Sequence, residues 1–127
     1  MSEDKATQGA QRAWRFYLDD MIGFAENVLA YTSGHQLKTF VATQMTYDAT
    51  LRNLELIGEA ATHIPAGIRE RAPRVPWRQI IATRNRLIHG YLGIDDDVLW
   101  SIIQDDIPSL LASLRELRDE AEDSQSS

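Results

Sequence analysis

Between Trp77 and Tyr91 the chain reads WRQIIATRNRLIHGY and sets an arginine, an amide and an imidazole close together, Arg84, Asn85 and His89. A guanidinium supplies fixed charge and a planar fork of donors that grips an oxyanion. An imidazole, which as a class titrates near neutral pH, moves a proton. On a helix turning about 100° per residue, Trp77, Ile80, Ile81, Leu87, Ile88 and Tyr91 share one face. Arg84 stands at the centre of that stripe, where Leu or Ile belongs, and a guanidinium in an apolar seam needs an anion or a partner. His89 lies about 140° round from it. Arg78, Asn85 and His89 line a flank that abuts the stripe, ahead of a Gly90 suited to end the helix. Two readings stand side by side. In one, the cluster holds an anion beside a proton carrier. In the other, Arg84 snorkels across the core to a carboxylate of a neighbouring helix and His89 complements the helix dipole.

The elements that must position these groups are helical. With 127 residues, 43% of them hydrophobic, the chain suffices for one modest core. Trp14, Tyr17, Leu18, Met21, Ala25, Val28 and Leu29 mark a helix over Gln11 to Tyr31, closed by Thr32, Ser33 and Gly34. A short helix over His35 to Thr43 presents Leu37, Phe40 and Val41. Another, from Thr46 to His63, carries Tyr47, Leu51, Leu54, Ile57, Ala61 and Ile64 inward. Gly58, Ala60 and Ala61 lack bulk, so a neighbouring backbone can come close there, offsetting the roughly 1 kcal/mol that glycine costs inside a helix. Residues 65–76 form a linker with one helical turn at Ala66 to Arg71, and Pro76 suits the first position of the helix that follows. Asp95 or Asp96 caps a last helix running to about Ala121, bent at Pro108. No strand-like alternation persists. The expectation is an all-α, antiparallel four-helix bundle with short additional helices, one domain over 11–121, a flexible tail at 1–10 and a disordered one at 122–127.

Composition narrows the chemistry. A formal charge of −6 and a pI near 4.9 argue against nucleic-acid binding through the global field. Yet Arg69, Arg71, Arg74, Arg78, Arg84 and Arg86 cluster against Glu70 alone, a local cationic surface able to meet phosphate, or else a solvated arginine face. The absence of cysteine excludes disulfides, thiol nucleophiles and iron–sulfur clusters, and is compatible with the cytoplasm, where the protein is expected. His35, His63 and His89 lack second ligands at metal spacing, and no Gly-rich phosphate loop occurs, so neither metal nor cofactor is expected. The serines have no adjacent base. Glu55 and Glu59 share a helix face and read as solvated or paired with arginine, Glu59 being the natural partner for Arg84. Trp77 and Trp100 read as packing residues. No apolar run approaches the ~20 residues of a membrane span, and the opening residues MSEDKATQGAQ do not resemble a signal peptide.

Three blocks carry a family resemblance: Leu56-Ile57-Gly58-Glu59-Ala60-Ala61, Pro76-Trp77, and Arg84-Asn85-Arg86-Leu87-Ile88-His89-Gly90-Tyr91. With Val98-Leu99-Trp100 and the run Asp105 to Leu110 downstream, the chain resembles the HepT-like toxins of the HEPN superfamily (higher eukaryotes and prokaryotes nucleotide-binding). The signature of Arg, four residues, His, one residue, Tyr is complete. The resemblance implies a HEPN-type bundle that acts as a metal-independent endoribonuclease, the toxin of a type II/VII-like toxin–antitoxin pair. It implies a homodimer whose two motifs face each other, RNA as substrate, and a small nucleotidyltransferase antitoxin of the MntA type as partner. Under it, Arg84 and His89 are catalytic, Asn85 orients His89 or the phosphate, and Arg78 and Arg86 position phosphates without sequence readout. Tyr91 becomes the site where the antitoxin attaches AMP (O-AMP-tyrosine). The alternative is a non-catalytic HEPN module that binds nucleotide or the nucleotidyltransferase.

Overall fold

The computed structural model describes residues 2–89 and 94–126. Among them every regular element is a helix, with no strand: α1 (Ser2–Thr32), α2 (Leu37–Ala42), α3 (Gln44–Thr62), α4 (Ala66–Arg71), α5 (Trp77–His89), α6 (Asp96–Ser101) and α7 (Ile107–Ser126), the last two joined by a π-helical turn, Ile102–Asp106. This is the all-α bundle that the periodicity predicts. α1 packs on α3 and α7, and α5 packs chiefly on α3. The predicted inward residues meet at the centre: Leu18, Met21, Ala25 and Val28 of α1, Leu54, Ile57 and Ala61 of α3, and Leu110, Leu114 and Leu117 of α7 are buried. Each large aliphatic side chain so covered contributes roughly 1.5–3 kcal/mol. Asn27 of α1 donates to Asn53 Oδ1 of α3 at 3.1 Å, and Asn53 donates in turn to the Ala49 carbonyl at 2.8 Å, a satisfied polar pair that resists slippage of one helix along the other.

Helix boundaries depart from the periodicity at both ends of the chain. α1 begins at Ser2 rather than near Gln11, and α7 runs to Ser126 rather than Ala121. Residues 2–10 and 122–126 include Glu, Lys, Ala and Gln, good helix formers without an apolar repeat, so the periodic signal passes over them. The other joints follow their local chemistry. α1 closes before Gly34, whose φ of +80° is the left-handed conformation glycine adopts freely. Asp95 caps α6, its carboxylate accepting from the backbone N–H of Asp97 at 2.6 Å. Pro108 acts one turn earlier than the proline itself. It offers no N–H to Gln104 and its ring crowds that carbonyl, so the backbone widens over Ile102–Asp106, where Ile107 N–H reaches back five residues to the Ile102 carbonyl.

Candidate active site

α5 reaches the bundle through one tight crossing. A Cβ at Gly58 of α3 would overlap Arg84 Cβ, sit 2.9 Å from Arg84 Cγ and lie 3.0 Å from the Ile80 carbonyl oxygen. The bare backbone of Gly58 is therefore what admits the Arg84 stem, as the run of small residues implies. The next residue along α3 is Glu59. Its Oε2 accepts from Arg84 Nη2 at 2.6 Å, while Arg84 Nη1 donates to Asn85 Oδ1 at 2.9 Å. The guanidinium thus spans the gap between α3 and the open flank of α5, about a quarter exposed, with Nε buried and without a hydrogen-bond partner among the described residues. The partner anticipated for Arg84 is the one it finds. Asn85, in turn, orients Arg84 itself, where the resemblance assigned it to His89 or the phosphate.

Around this crossing the apolar stripe is narrower than its spacing suggests. Trp77, Ile80 and Leu87 are buried and Ile81 is half-buried, but Ile88 is 44% exposed. One neighbouring helix covers a smaller arc than a full stripe, and α5 leans chiefly on α3 alone. Arg78, Asn85 and His89 are consequently exposed, together with Ala82, and occupy the side of α5 that turns away from α3 rather than a flank abutting its core. His89 sits in the last turn of α5. Arg86 is exposed on a shallow groove of about 450 Å³ whose other wall carries Asp97 and Asp106, carboxylates that oppose an incoming phosphate. Gly90 and Tyr91 lie outside the described residues.

Two members of the arginine cluster have structural work. Arg69 donates from Nε to the Ile64 carbonyl at 3.0 Å and from Nη2 to the Ala61 carbonyl at 2.9 Å, closing the C-terminal end of α3. Arg74 joins Glu116 at 2.8 Å and Glu120 at 3.0 Å, tying the linker to α7. Arg69 is half-buried and Arg74 exposed, and both guanidinium groups are engaged within the fold rather than left free for phosphate. Glu55 pairs with Arg52 at 3.1 Å, as its helix position suggests. Trp77 is a packing residue whose indole N–H reaches the Ala72 carbonyl at 3.1 Å, and Trp100 packs on Phe40 with ring centroids 5.1 Å apart.

Two contacts between separate elements had no signal in the spacing. His63 faces the second oxygen of Glu59, Nε2 to Oε1 at 3.6 Å, and its ring stacks on Tyr17 of α1 at 4.4 Å. Glu59 and His63 are four apart, so their proximity was available; the stack from α1 was not. Tyr47 of α3 donates to Asp96 at 3.1 Å, and burial, followed by this hydrogen bond and the charges of Asp96 and Asp48, pushes its phenol above the ordinary value. A half-open, mostly apolar cavity of about 100 Å³, walled chiefly by Leu54, Ile57, Pro76, Ile80, Ile107 and Leu110, lies on the opposite flank of α5 from Asn85 and His89. Its lining is mostly apolar, with Gln79, Thr83 and Asp106 as its polar members and no arginine or histidine among them.

Among the described residues no three His, Asp or Glu side chains gather to hold a metal ion, and no helix is long and apolar enough to cross a membrane. Residues 21–117 match the family model described as "Ribonuclease HepT-like". A protein of Thermococcus cleftensis named "Probable ribonuclease HepT" is 36% identical over 108 residues, covering 85% of this chain and 98% of its own length. A protein of Methanocaldococcus jannaschii, provisionally named an RNase, is 37% identical over 101 residues, 80% of this chain and 93% of its own. Another from Caldanaerobacter subterraneus, also provisionally named an RNase, is 33% identical over 103 residues, 81% of this chain and 92% of its own. No solved structure matches the chain. The matched span takes in Gly58, Glu59, Arg84, Asn85 and His89 in one continuous block of the bundle, and on that span the chain belongs to the HepT-like ribonuclease family.

Proposed function

We propose that this protein is a metal-independent endoribonuclease, the toxin of a toxin–antitoxin pair, working as a cytoplasmic homodimer. The observation that carries the reading is Arg84: a guanidinium threaded through a glycine crossing to the polar flank of α5, on the helix whose last turn exposes His89. Within one helix these two side chains are about 7.5 Å apart along the axis and roughly 140° apart around it. They diverge, so a single α5 does not close both on one phosphate. A second copy of α5, facing the first, supplies the missing half and lines one groove with both pairs.

In that groove the RNA 2′-oxygen attacks the adjacent phosphorus, the P–O5′ bond breaks, and a 2′,3′-cyclic phosphate and a 5′-hydroxyl result. His89 takes the 2′-hydroxyl proton or returns one to the departing 5′-oxygen. Arg84, whose Nη1 and Nη2 each keep a second N–H, stabilises the charge that builds on the phosphorane oxygens. Arg78 steadies the backbone of the RNA, and Arg86 does so against the opposing carboxylates of its groove. Tyr91, two residues past His89, is the acceptor for AMP from a nucleotidyltransferase antitoxin. The adduct adds bulk and negative charge beside the site and so closes it to RNA.

The second reading, a non-catalytic module binding nucleotide or the nucleotidyltransferase, draws on the Glu59–Arg84 ion pair, since a guanidinium already matched to a carboxylate can be structural. Incubation of RNA with the purified protein in chelator separates the two. Cleavage with cyclic phosphate ends, lost in His89→Ala and absent with DNA, is the expected result. RNA bound but left intact by the wild-type protein hands the case to the module.

A further inference from the structure

We propose that Glu59 is a positioning residue for RNA cleavage, holding the Arg84 guanidinium at the angle from which it meets the reacting phosphate. The inference rests on the ribonuclease reading above and adds a residue on a different helix to it. Glu59 stands directly after the one position where α3 admits Arg84, so the crossing that places the stem also delivers the carboxylate to the fork. The contact, 2.6 Å from Nη2 to Oε2, is as short as charge-assisted hydrogen bonds come.

The carboxylate is itself held. Its other oxygen faces His63 Nε2 at 3.6 Å, and that imidazole is pinned by its stack on Tyr17 of α1. Arg84 is steadied from its second nitrogen by Asn85 at 2.9 Å. A relay from α1 through α3 to α5 therefore aims one guanidinium, while the remaining donors on Nη1 and Nη2 stay available to an oxyanion.

The same placement has an electrostatic cost that decides the test. Glu59 is about half exposed, and an ion pair so wetted adds little to stability. Its negative charge also disfavours a phosphate close by. A carboxylate that weakens substrate binding and hardly stabilises the fold acts here through the orientation of Arg84. It touches no reacting atom.

The measurement is steady-state cleavage of an RNA oligonucleotide by the full-length protein, with kcat and KM separated, for wild type, Glu59→Gln and Glu59→Asp. Glu59→Gln keeps the shape and removes the charge. Its kcat is expected to fall about ten- to a hundredfold, as for a catalytic group displaced by an ångström, while KM holds or falls because the repulsion is gone. Glu59→Asp regains part of kcat, and the thermal midpoints of the three stay together. Cleavage by Glu59→Gln at or above the wild-type rate overturns the proposal, since Glu59 would then mask Arg84 rather than aim it. A loss confined to KM, or Glu59→Asp no better than Glu59→Gln, overturns it too. Wild type that leaves RNA intact sinks the ribonuclease reading and this one together; active wild type with an unaffected Glu59→Gln sinks this one alone.

Discussion

Arg84 satisfies two demands that usually conflict: its stem is covered by α3 while its head stays within reach of solvent. Snorkelling resolves the conflict, with the aliphatic part treated as core and the guanidinium as surface. His89 carries no such double duty, being exposed at the end of α5. The two substitutions should therefore separate. His89→Ala is expected to lower RNA cleavage by about 10²-fold or more with no change in thermal midpoint. Arg84→Ala is expected to lose cleavage to a similar degree and also about 1 kcal/mol or less of stability, through the pair with Glu59 and the covered stem. Parallel cleavage assays and melting curves check both, and a stable, fully active His89→Ala protein removes the imidazole from the mechanism. Tyr47 makes a residue-scale prediction of another kind. Its folded pKa is raised, so the neutral phenol is the form the fold favours. That stabilisation is complete below the ordinary tyrosine value near 10 and is lost as pH climbs from there through the raised value. Tyr47→Phe should cost at most about 1 kcal/mol at neutral pH and make the alkaline limb of the stability profile less steep, measured by denaturant unfolding across that range.

α5 is held at its middle by a contact in which glycine is the only residue that fits. Gly58→Ala would drive a methyl group into the base of the Arg84 side chain and against the Ile80 carbonyl, and the first side-chain carbon and the backbone oxygen have little room to yield. Overpacking of this kind costs roughly 1–3 kcal/mol, and here α5 must shift to relieve it. The variant should melt earlier and cleave poorly even where it remains folded, since Arg84 and Glu59 move apart with the helices. Unchanged melting and unchanged cleavage would mean that the crossing opens without consequence. The small-residue run made this approach legible in the sequence, because only residues without bulk let two helix backbones meet. The π-helical turn was legible only as a proline-induced bend: Pro108 announces a broken hydrogen bond, but whether the backbone kinks or widens depends on what packs beside Ile102–Asp106.

Across the whole molecule the charge is acidic, and the arginine cluster is thinner than its count suggests, with Arg69 and Arg74 engaged within the fold. In the homodimer proposed above, a groove assembled from two copies would restore local positive charge by doubling what one chain presents. Arg78, Ala82, Asn85 and His89 fall four, three and four residues apart on the open side of α5, the spacing of a helix seam that can face its own copy. Ala82 is the small residue within it. Ala82→Trp should shift the protein from dimer to monomer in sedimentation and abolish cleavage, with helix content and melting of the monomer preserved. A monomeric wild type that cleaves RNA would show instead that one chain holds the complete site.

From sequence alone came the helices, their inward residues, the bundle and the order of the motif, because each follows from repeats a few residues long and from residue types with fixed local preferences. Glu59 as the companion of Arg84 also came that way, through the small residues beside it. The tertiary structure decided how wide a face of α5 is covered, leaving Ile88 and the flank of Arg78, Asn85 and His89 open. It also decided that Asn85 steadies Arg84, that Arg69 and Arg74 are structural, and that His63 braces Glu59 from a stack on Tyr17. Burial is set by how many neighbours cover a helix, and a side chain's partner by what a distant segment brings within about 3 Å. Neither is written in the spacing along one helix.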